Sequence, residues 1–312
     1  MTILEEAPPI TAAIQATGVA RAFGSVQAVQ DATLTVERGK VTALIGPNGC
    51  GKTTLMLMLA GLLRPDAGEI RVAGADPRTD SAAVRAAIGW MPDQLGSWDN
   101  LSCLQTLTLV GQSYRIPAAQ ARAKGLSLLR KVHLEEFADR PTRVLSRGQK
   151  QRLSLARALV HDPAVLLLDE PANGLDPRSR VELRQYVREI AAEGRAVLVS
   201  SHVLAELDEM VDDAVFMSKG RTLGDDAARM VAHARTRYRV WSLDVDALRR
   251  ALTDASVPFE EAEGGAMVSI ADEAHAQQAL AWLVGAGVPV HRFGPAGSAL
   301  EQTYMAMEED RR

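Results

Sequence analysis

The sequence predicts an α/β protein: a mainly parallel sheet with helices on its faces, followed by a second, smaller α+β unit. Three observations carry this. Short apolar runs alternate with helical periodicity through most of the first 220 residues, the pattern of parallel strands joined by crossover helices. From Leu101 to Val160 the alternation gives way to helical patterning alone, which marks an inserted helical lobe. Beyond Tyr238 the order becomes β-α-β-β-α-β, the ferredoxin-like pattern.

Taken in order, Ile14 to Val19 and Val26 to Val36 alternate as half-buried strands do, with a turn at Arg38-Gly39. Val41 to Ile45 is short and apolar, as a strand covered on both faces must be. A glycine-rich loop and an apolar helix, Thr54 to Ala60, come next, then strands at Gly68 to Val72 and Ile88 to Met91. Pro117 and Pro141 break the helical block and Asp162-Pro163 stops it. A strand (Val165 to Leu168), a helix (Pro177 to Glu193), a strand (Val197 to Ser200), a helix (Leu204 to Met210) and a strand (Ala214 to Met217) come after it, and Lys219-Gly220 closes the pattern. Ala227 to Arg237 reads as a linker helix. The small unit comprises strand Tyr238 to Val245, helix Ala247 to Ala255, strands Phe259 to Ala262 and Met267 to Ile270, helix Glu273 to Val284 and strand Val288 to Phe293.

Composition narrows the function. The 312 residues suffice for one large and one small domain, and 47% hydrophobic with 24% charged residues is a globular composition. A net charge of −4 argues against a nucleic-acid binder, whose affinity rests largely on basic surface. Two cysteines, Cys50 and Cys103, suit a reducing compartment rather than a disulfide framework. The most apolar stretch, Leu55 to Leu63, is about half of the roughly 20 residues a membrane span needs. The start, with Glu5 and Glu6, lacks the pattern of a signal peptide. The expectation is a cytosolic protein for which any membrane role requires a partner.

Gly46-Pro47-Asn48-Gly49-Cys50-Gly51-Lys52-Thr53 matches the phosphate-loop pattern G-x-x-x-x-G-K-[ST], with a buried strand before it and a helix after it. Glycines let the backbone aim N–H groups at phosphate oxygens. Lys52 adds a cation for the β- and γ-phosphates, the Thr53 hydroxyl can hold Mg²⁺, and the helix continuing through Thr54 adds its positive end. Cys50 is a small residue tolerated within the loop, with no redox role. Val165 to Leu168 ends in Asp169-Glu170. A strand end beside a phosphate loop is where a Mg²⁺-organising aspartate sits, and the next carboxylate is placed to take a proton from an attacking water. Leu145-Ser146-Arg147-Gly148-Gln149 precedes a helical run, Lys150 to Val160. Ser146 is suited to cap it, Gly148 permits close backbone approach, and the helix start is a second anion site. The remaining histidines, His133, His161, His233, His275 and His291, show no ligand spacing, so no protein metal site is expected.

In this combination the chain resembles an ABC ATPase across Ile14 to Arg221. The phosphate loop, the signature Leu145 to Gln149, Asp169-Glu170, Gly174-Leu175-Asp176-Pro177 and His202 stand in the family's order. The resemblance implies a P-loop NTPase fold with a RecA-like parallel core, an antiparallel β subdomain and a helical subdomain. It implies ATP and Mg²⁺ as cofactors, with the stretch Gly46 to Thr54 around the phosphates and Phe23 stacked on adenine. It implies Asp169 as a holder of Mg²⁺ through water and Glu170 as general base, with Lys52 and His202 at the γ-phosphate. Ser146, Gly148 and Gln149 are implied to reach ATP held by a second copy of the chain, with Asp176 at that interface.

Two positions depart from the family pattern. Arg147 stands where glycine is commoner in the signature. Asp93, after Ile88-Gly89-Trp90-Met91-Pro92, takes the place of a glutamine that touches Mg²⁺ and links to the membrane partner, and Gln94 comes next. Asp93 thereby joins Thr53 and Asp169 as an implied Mg²⁺ contact. A carboxylate there, and Leu300-Glu301-Gln302-Thr303-Tyr304, are similar to the drug- and antibiotic-exporter branch of daunorubicin-resistance type. The resemblance implies an ATPase domain over 13–222 with its helical subdomain at about 93–160, a linker over 223–237 and an accessory domain over 238–312. The partners implied are a separate membrane permease and a second copy, without nucleic acid, at the inner face of the cell membrane. The rival readings are an importer ATPase and a soluble ABC ATPase.

Overall fold

The computed structural model describes residues 12–93, 96, 98–201, 207, 210–223 and 236–296. The chain divides into two compact units, Met1–Leu223 and Gly224–Arg312. In the first, β1 (Ala12–Phe23) and β2 (Val26–Glu37) form an antiparallel hairpin, and β4 (Ala67–Val72) pairs antiparallel with β1. Beside this wing lie β3 (Val41–Ile45), β5 (Ile88–Met91), β6 (Val165–Asp169), β7 (Ala196–Ser201), β8 (Asp213–Ser218) and β9 (Arg221–Leu223). The sheet order is β4-β1-β2-β9-β8-β3-β7-β6-β5, and the run β8-β3-β7-β6-β5 is parallel. β3, β6 and β7 are buried at every residue, which is why their sequences are apolar without alternation.

α1 (Lys52–Leu59) leaves the loop after β3 and buries Leu55, Met56, Met58 and Leu59 in the core shared with β1, β2 and β4. The helical lobe holds α3 (Cys103–Ser113), α4 (Ala118–Lys131) and α5 (Arg147–Leu159). α3 begins with a full capping box: Ser102 Oγ accepts from Gln105 N, and Gln105 Oε1 accepts from Ser102 N. α6 (Pro177–Ala192) joins β6 to β7. Two elements escaped the sequence reading. α2 (Ser81–Ala87) starts where the Asp80 carboxylate accepts from Ala83 N at 3.0 Å. β9 is too short to show a period of its own.

The second unit is a four-stranded antiparallel sheet of β10 (Thr236–Ser242), β11 (Phe259–Ala262), β12 (Gly265–Ile270) and β13 (Val290–Pro295), in the order β11-β12-β10-β13. α7 (Val245–Asp254) and α8 (Glu273–Gly285) complete the ferredoxin-like order. Tyr238 and Val240 share one core with Leu248, Leu252, Val268 and Leu283. Several boundaries in this unit differ from expectation, and two of them have a local cause. Arg237 belongs to β10 and not to a linker helix, because it pairs with Ser269 of β12. Val245 belongs to α7 and not to the preceding strand, because the Asp244 carboxylate accepts from Ala247 N at 2.8 Å and so starts the helix there. Thr236 also belongs to β10, while residues 227–235 of the expected linker helix, most of the helix Leu204 to Met210, His202, Gln94 and the Leu300 to Tyr304 motif lie outside the described residues.

Candidate active site

β3, β7 and β6 run parallel with Ile45 opposite Ser201 and Asp169 opposite Ser200, so their C-terminal ends lie together. At that edge of a parallel sheet, the loops leaving neighbouring strands converge into one site. After β3 comes the loop Gly46 to Gly51, in which Pro47, Asn48 and Gly49 are exposed and Cys50 is buried. Burial raises the Cys50 thiol above its ordinary range, so it is protonated at neutral pH.

The loop glycines serve two purposes. Gly49, with φ of 79°, faces open space. A Cβ on Gly46 would fall 2.2 Å from the Met217 carbonyl oxygen, and one on Gly51 would fall 2.4 Å from that of Ala28. These two are therefore required by close approach to β8 and β2, and Gly51 also has φ of 111°. Gly51→Ala is expected to destabilise the protein by about 2–4 kcal/mol, the sum of overpacking and a left-handed backbone. A lowered urea midpoint at unchanged slope is the measurement, and an unmoved midpoint contradicts it.

Lys52 is buried, and its Nζ donates to the carbonyls of Gly46 (2.7 Å) and Pro47 (3.3 Å) while lying 3.8 Å from Glu170 Oε1. Thr53 Oγ1 donates to Asp169 Oδ2 at 2.8 Å, and Ser200 Oγ donates to Asp169 Oδ1 at 2.5 Å. Asp169 is 1% exposed, and each of its oxygens has a donor, as a buried carboxylate requires. The structure thus brings Lys52, Thr53, Asp169 and Glu170 together.

Glu170 has φ of 50°, a left-handed conformation costing an L-residue roughly 1–2 kcal/mol. Such strain persists only where the surroundings over-determine it. Here the Glu170 N–H points at Ser200 O (3.2 Å) and Ser200 Oγ (3.1 Å). Its carbonyl accepts from Asn173 N (3.1 Å) and from Gln151 Nε2 (3.2 Å).

The signature segment lies at the start of α5. Ser146 Oγ accepts from Gln149 N and Gln149 Oε1 accepts from Ser146 N, a second complete capping box. Ser146 is exposed, and its hydroxyl proton remains available because the box uses the oxygen as acceptor. The Arg147 side chain crosses Gly174, whose Cβ direction it occupies, and Gly148 faces Leu175. Asp176 caps α6 through Ser179 N (3.0 Å) and accepts from Ser179 Oγ (2.5 Å); these bonds, the hydroxyl one first, hold its carboxyl below the usual range.

Phe23 closes β1 with 48% of its surface exposed, and the Arg21 guanidinium lies 5.0 Å from the ring centroid. Asp93 Oδ1 accepts from Asn173 Nδ2 at 3.0 Å, which ties the segment after β5 to the segment after β6. The polar atoms at Asp169 are hydroxyl and carboxylate oxygens, a hard donor set that fits Mg²⁺. Among the described residues no group of three or more His, Cys, Asp or Glu side chains forms a metal site by itself. Phosphate oxygens and water therefore have to complete any such coordination, as is usual for Mg²⁺.

Sequence reasoning missed Ser200, Asn173 and Gln151 as members of this site. A signal existed for Gln151: it is a polar residue on the helical stripe that continues through Leu155 and Leu159.

A family model described as ABC transporter matches residues 29–173. The daunorubicin resistance ATP-binding protein DrrA3 of Streptomyces coeruleorubidus is 38% identical over 216 residues, which cover 69% of this chain and 68% of that protein. This chain belongs to the ATP-binding proteins of ABC transporters. Like that family, this ABC ATPase binds and hydrolyses ATP. It is also 42% identical over 196 residues to the probable multidrug ABC transporter ATP-binding protein YbhF of Escherichia coli K12, covering 63% of this chain and 34% of that protein. A solved ATP-binding subunit of an ABC transporter superposes with a TM-score of 0.64 at 28% identity, covering 70% of this chain and 92% of the other. Among the described residues, no helix of this ABC ATPase is long and apolar enough to cross a membrane.

Proposed function

We propose that this ABC ATPase powers a separate integral membrane permease that exports a drug, an antibiotic or another small molecule. The observation that carries the catalytic part is the meeting of Lys52, Thr53, Asp169 and Glu170 at the ends of β3 and β6. Export is supported by the names of its relatives, one a daunorubicin resistance protein and one a probable multidrug transporter protein.

In this reading Gly46 to Thr54 wraps the phosphates, and Lys52 turns from the loop carbonyls toward the β- and γ-phosphates. Phe23 stacks on adenine with its exposed face. Thr53 and Asp169, with Asp93 from the segment after β5, would hold Mg²⁺, which neutralises charge on the phosphoryl oxygens when bound. Glu170 takes the proton of the attacking water, and His202 orients that water at the γ-phosphate. Ser146, Gly148 and Gln149 face ATP bound by a second copy, with Asp176 at the same interface. The exposed Ser146 hydroxyl at a helix start supports this. ATP binding closes the pair and hydrolysis reopens it, a two-state element biased by the γ-phosphate. We assign the ATPase domain to the first unit, ending with β9 at Leu223, with its helical subdomain at about 93–160, and an accessory domain that begins with β10 at Thr236, which moves the expected linker bounds inward to 224–235. The protein sits peripherally on the inner face of the cell membrane.

The test is purification of the full chain from native membranes in mild detergent. An integral membrane protein is expected to accompany it and to raise its ATPase rate. Recovery with soluble proteins only would overturn the transport reading.

A further inference from the structure

α5 is bonded directly to the peptide of Glu170. Gln151 is 3% exposed, and its Nε2 donates to the carbonyls of both Glu170 (3.2 Å) and Pro171 (3.0 Å). Arg147 and Gln151, four positions apart, share one face of the helix. That face runs along the segment after β6, with Arg147 over Gly174, Gly148 against Leu175 and Gln151 on Glu170 and Pro171. Next along the helix, Arg152 Nη2 donates to Ser179 Oγ at 2.6 Å, and Ser179 in turn bonds Asp176.

We propose that Gln151 is a positioning residue for hydrolysis. It holds the peptide of Glu170 in its left-handed conformation and so keeps that carboxylate beside Lys52. This rests on the reading of Glu170 as general base. Glu170 has a strained backbone, and a strained residue relaxes unless both flanking peptides are held. The Ser200 backbone and hydroxyl fix the peptide before it; Gln151 and Asn173 fix the one after it. Of these, only Gln151 comes from the signature helix. α5 is one continuous 13-residue helix, so a shift of its Ser146 end carries Gln151 with it. In the proposed dimer that end contacts the ATP of the second copy. Gln151 thus links the nucleotide sensed at the signature to the base that serves the chain's own phosphate loop.

The experiment compares the full chain with Gln151→Met, which keeps the length and removes the donor, and with Gln151→Asn, which keeps the donor but withdraws it by one methylene. Both are expected to lower kcat for ATP about tenfold or more, since misplacement of a reacting group by an ångström costs rate in that range. The Kd for ATP in the Glu170→Gln background is expected to stay within about twofold, because Gln151 bonds the carbonyls of Glu170 and Pro171 and not the phosphate loop. A kcat within about twofold of the parent in either folded variant overturns the proposal. So does a fall in affinity that matches the fall in rate. If Gln151→Met does not fold, Gln151→Asn alone decides. A fully active Glu170→Gln would instead sink the general-base reading beneath it, whereas an inactive Glu170→Gln beside active Gln151 variants removes only the positioning role.

Discussion

Glu170→Gln is expected to bind ATP with near-parental affinity while losing turnover by about 100-fold or more, the usual contribution of a positioned general base. The substitution is nearly isosteric, so the left-handed backbone and its bonds to Ser200, Asn173 and Gln151 persist. What disappears is the ability to accept a proton, and with it the negative charge 3.8 Å from Lys52. Loss of that charge leaves Lys52 freer to serve phosphate, so affinity does not suffer. In the proposed dimer the variant accumulates as an ATP-bound pair, because closure is intact and reopening requires hydrolysis. Phosphate release, nucleotide binding and size-exclusion chromatography with ATP together measure this. Turnover near the parental rate would remove Glu170 from the role of base.

Lys52→Ala is expected to weaken ATP binding by about 10- to 100-fold, since a charge-assisted hydrogen bond is worth roughly 1.5–3 kcal/mol. The cation sits inside the loop, 2.7 Å from the Gly46 carbonyl, so it is placed where phosphate oxygens must approach. Its removal also leaves the Gly46 and Pro47 carbonyls without that donor and takes a positive charge from the side of Glu170. The Pro47 carbonyl keeps Cys50 N as a donor, so stability should fall by about 1–3 kcal/mol, the cost of the buried Gly46 carbonyl losing its partner. Calorimetric titration with ATP and urea unfolding separate the two effects. Unchanged affinity would contradict the phosphate-loop assignment.

The residues that read most clearly from sequence are those whose chemistry is contiguous. Gly46 to Thr53 is a single stretch in which glycines, a lysine and a threonine lie close together, and Asp169-Glu170 comes directly after an apolar strand. Strand periodicity likewise located β3, β6 and β7, because burial on both faces demands apolar residues without alternation. The misses have local causes. α2 spans two turns with one buried residue, Val84, so it has no apolar stripe to detect. The end of β10 was overrun because Val245 suits a strand by propensity, whereas the Asp244 cap makes it helical.

The alternating architecture, the phosphate loop, the two carboxylates at the end of β6 and the capped signature helix were all legible in the amino-acid order alone. Each motif resides in a window of a few residues, the alternation is a succession of such windows, and none needs a distant partner to be recognised. How those carboxylates are held emerged only in three dimensions. Ser200 reaches Asp169 because β6 and β7 pair in one parallel register, and Gln151 reaches Glu170 because α5 lies along the segment after β6. Packing likewise explains why Gly46 and Gly51 are small: β8 and β2 pass too close for a side chain. The physical cause is common to all three. These contacts join residues from separate elements, and sheet pairing and helix packing, not local propensity, bring them within hydrogen-bond or van der Waals reach.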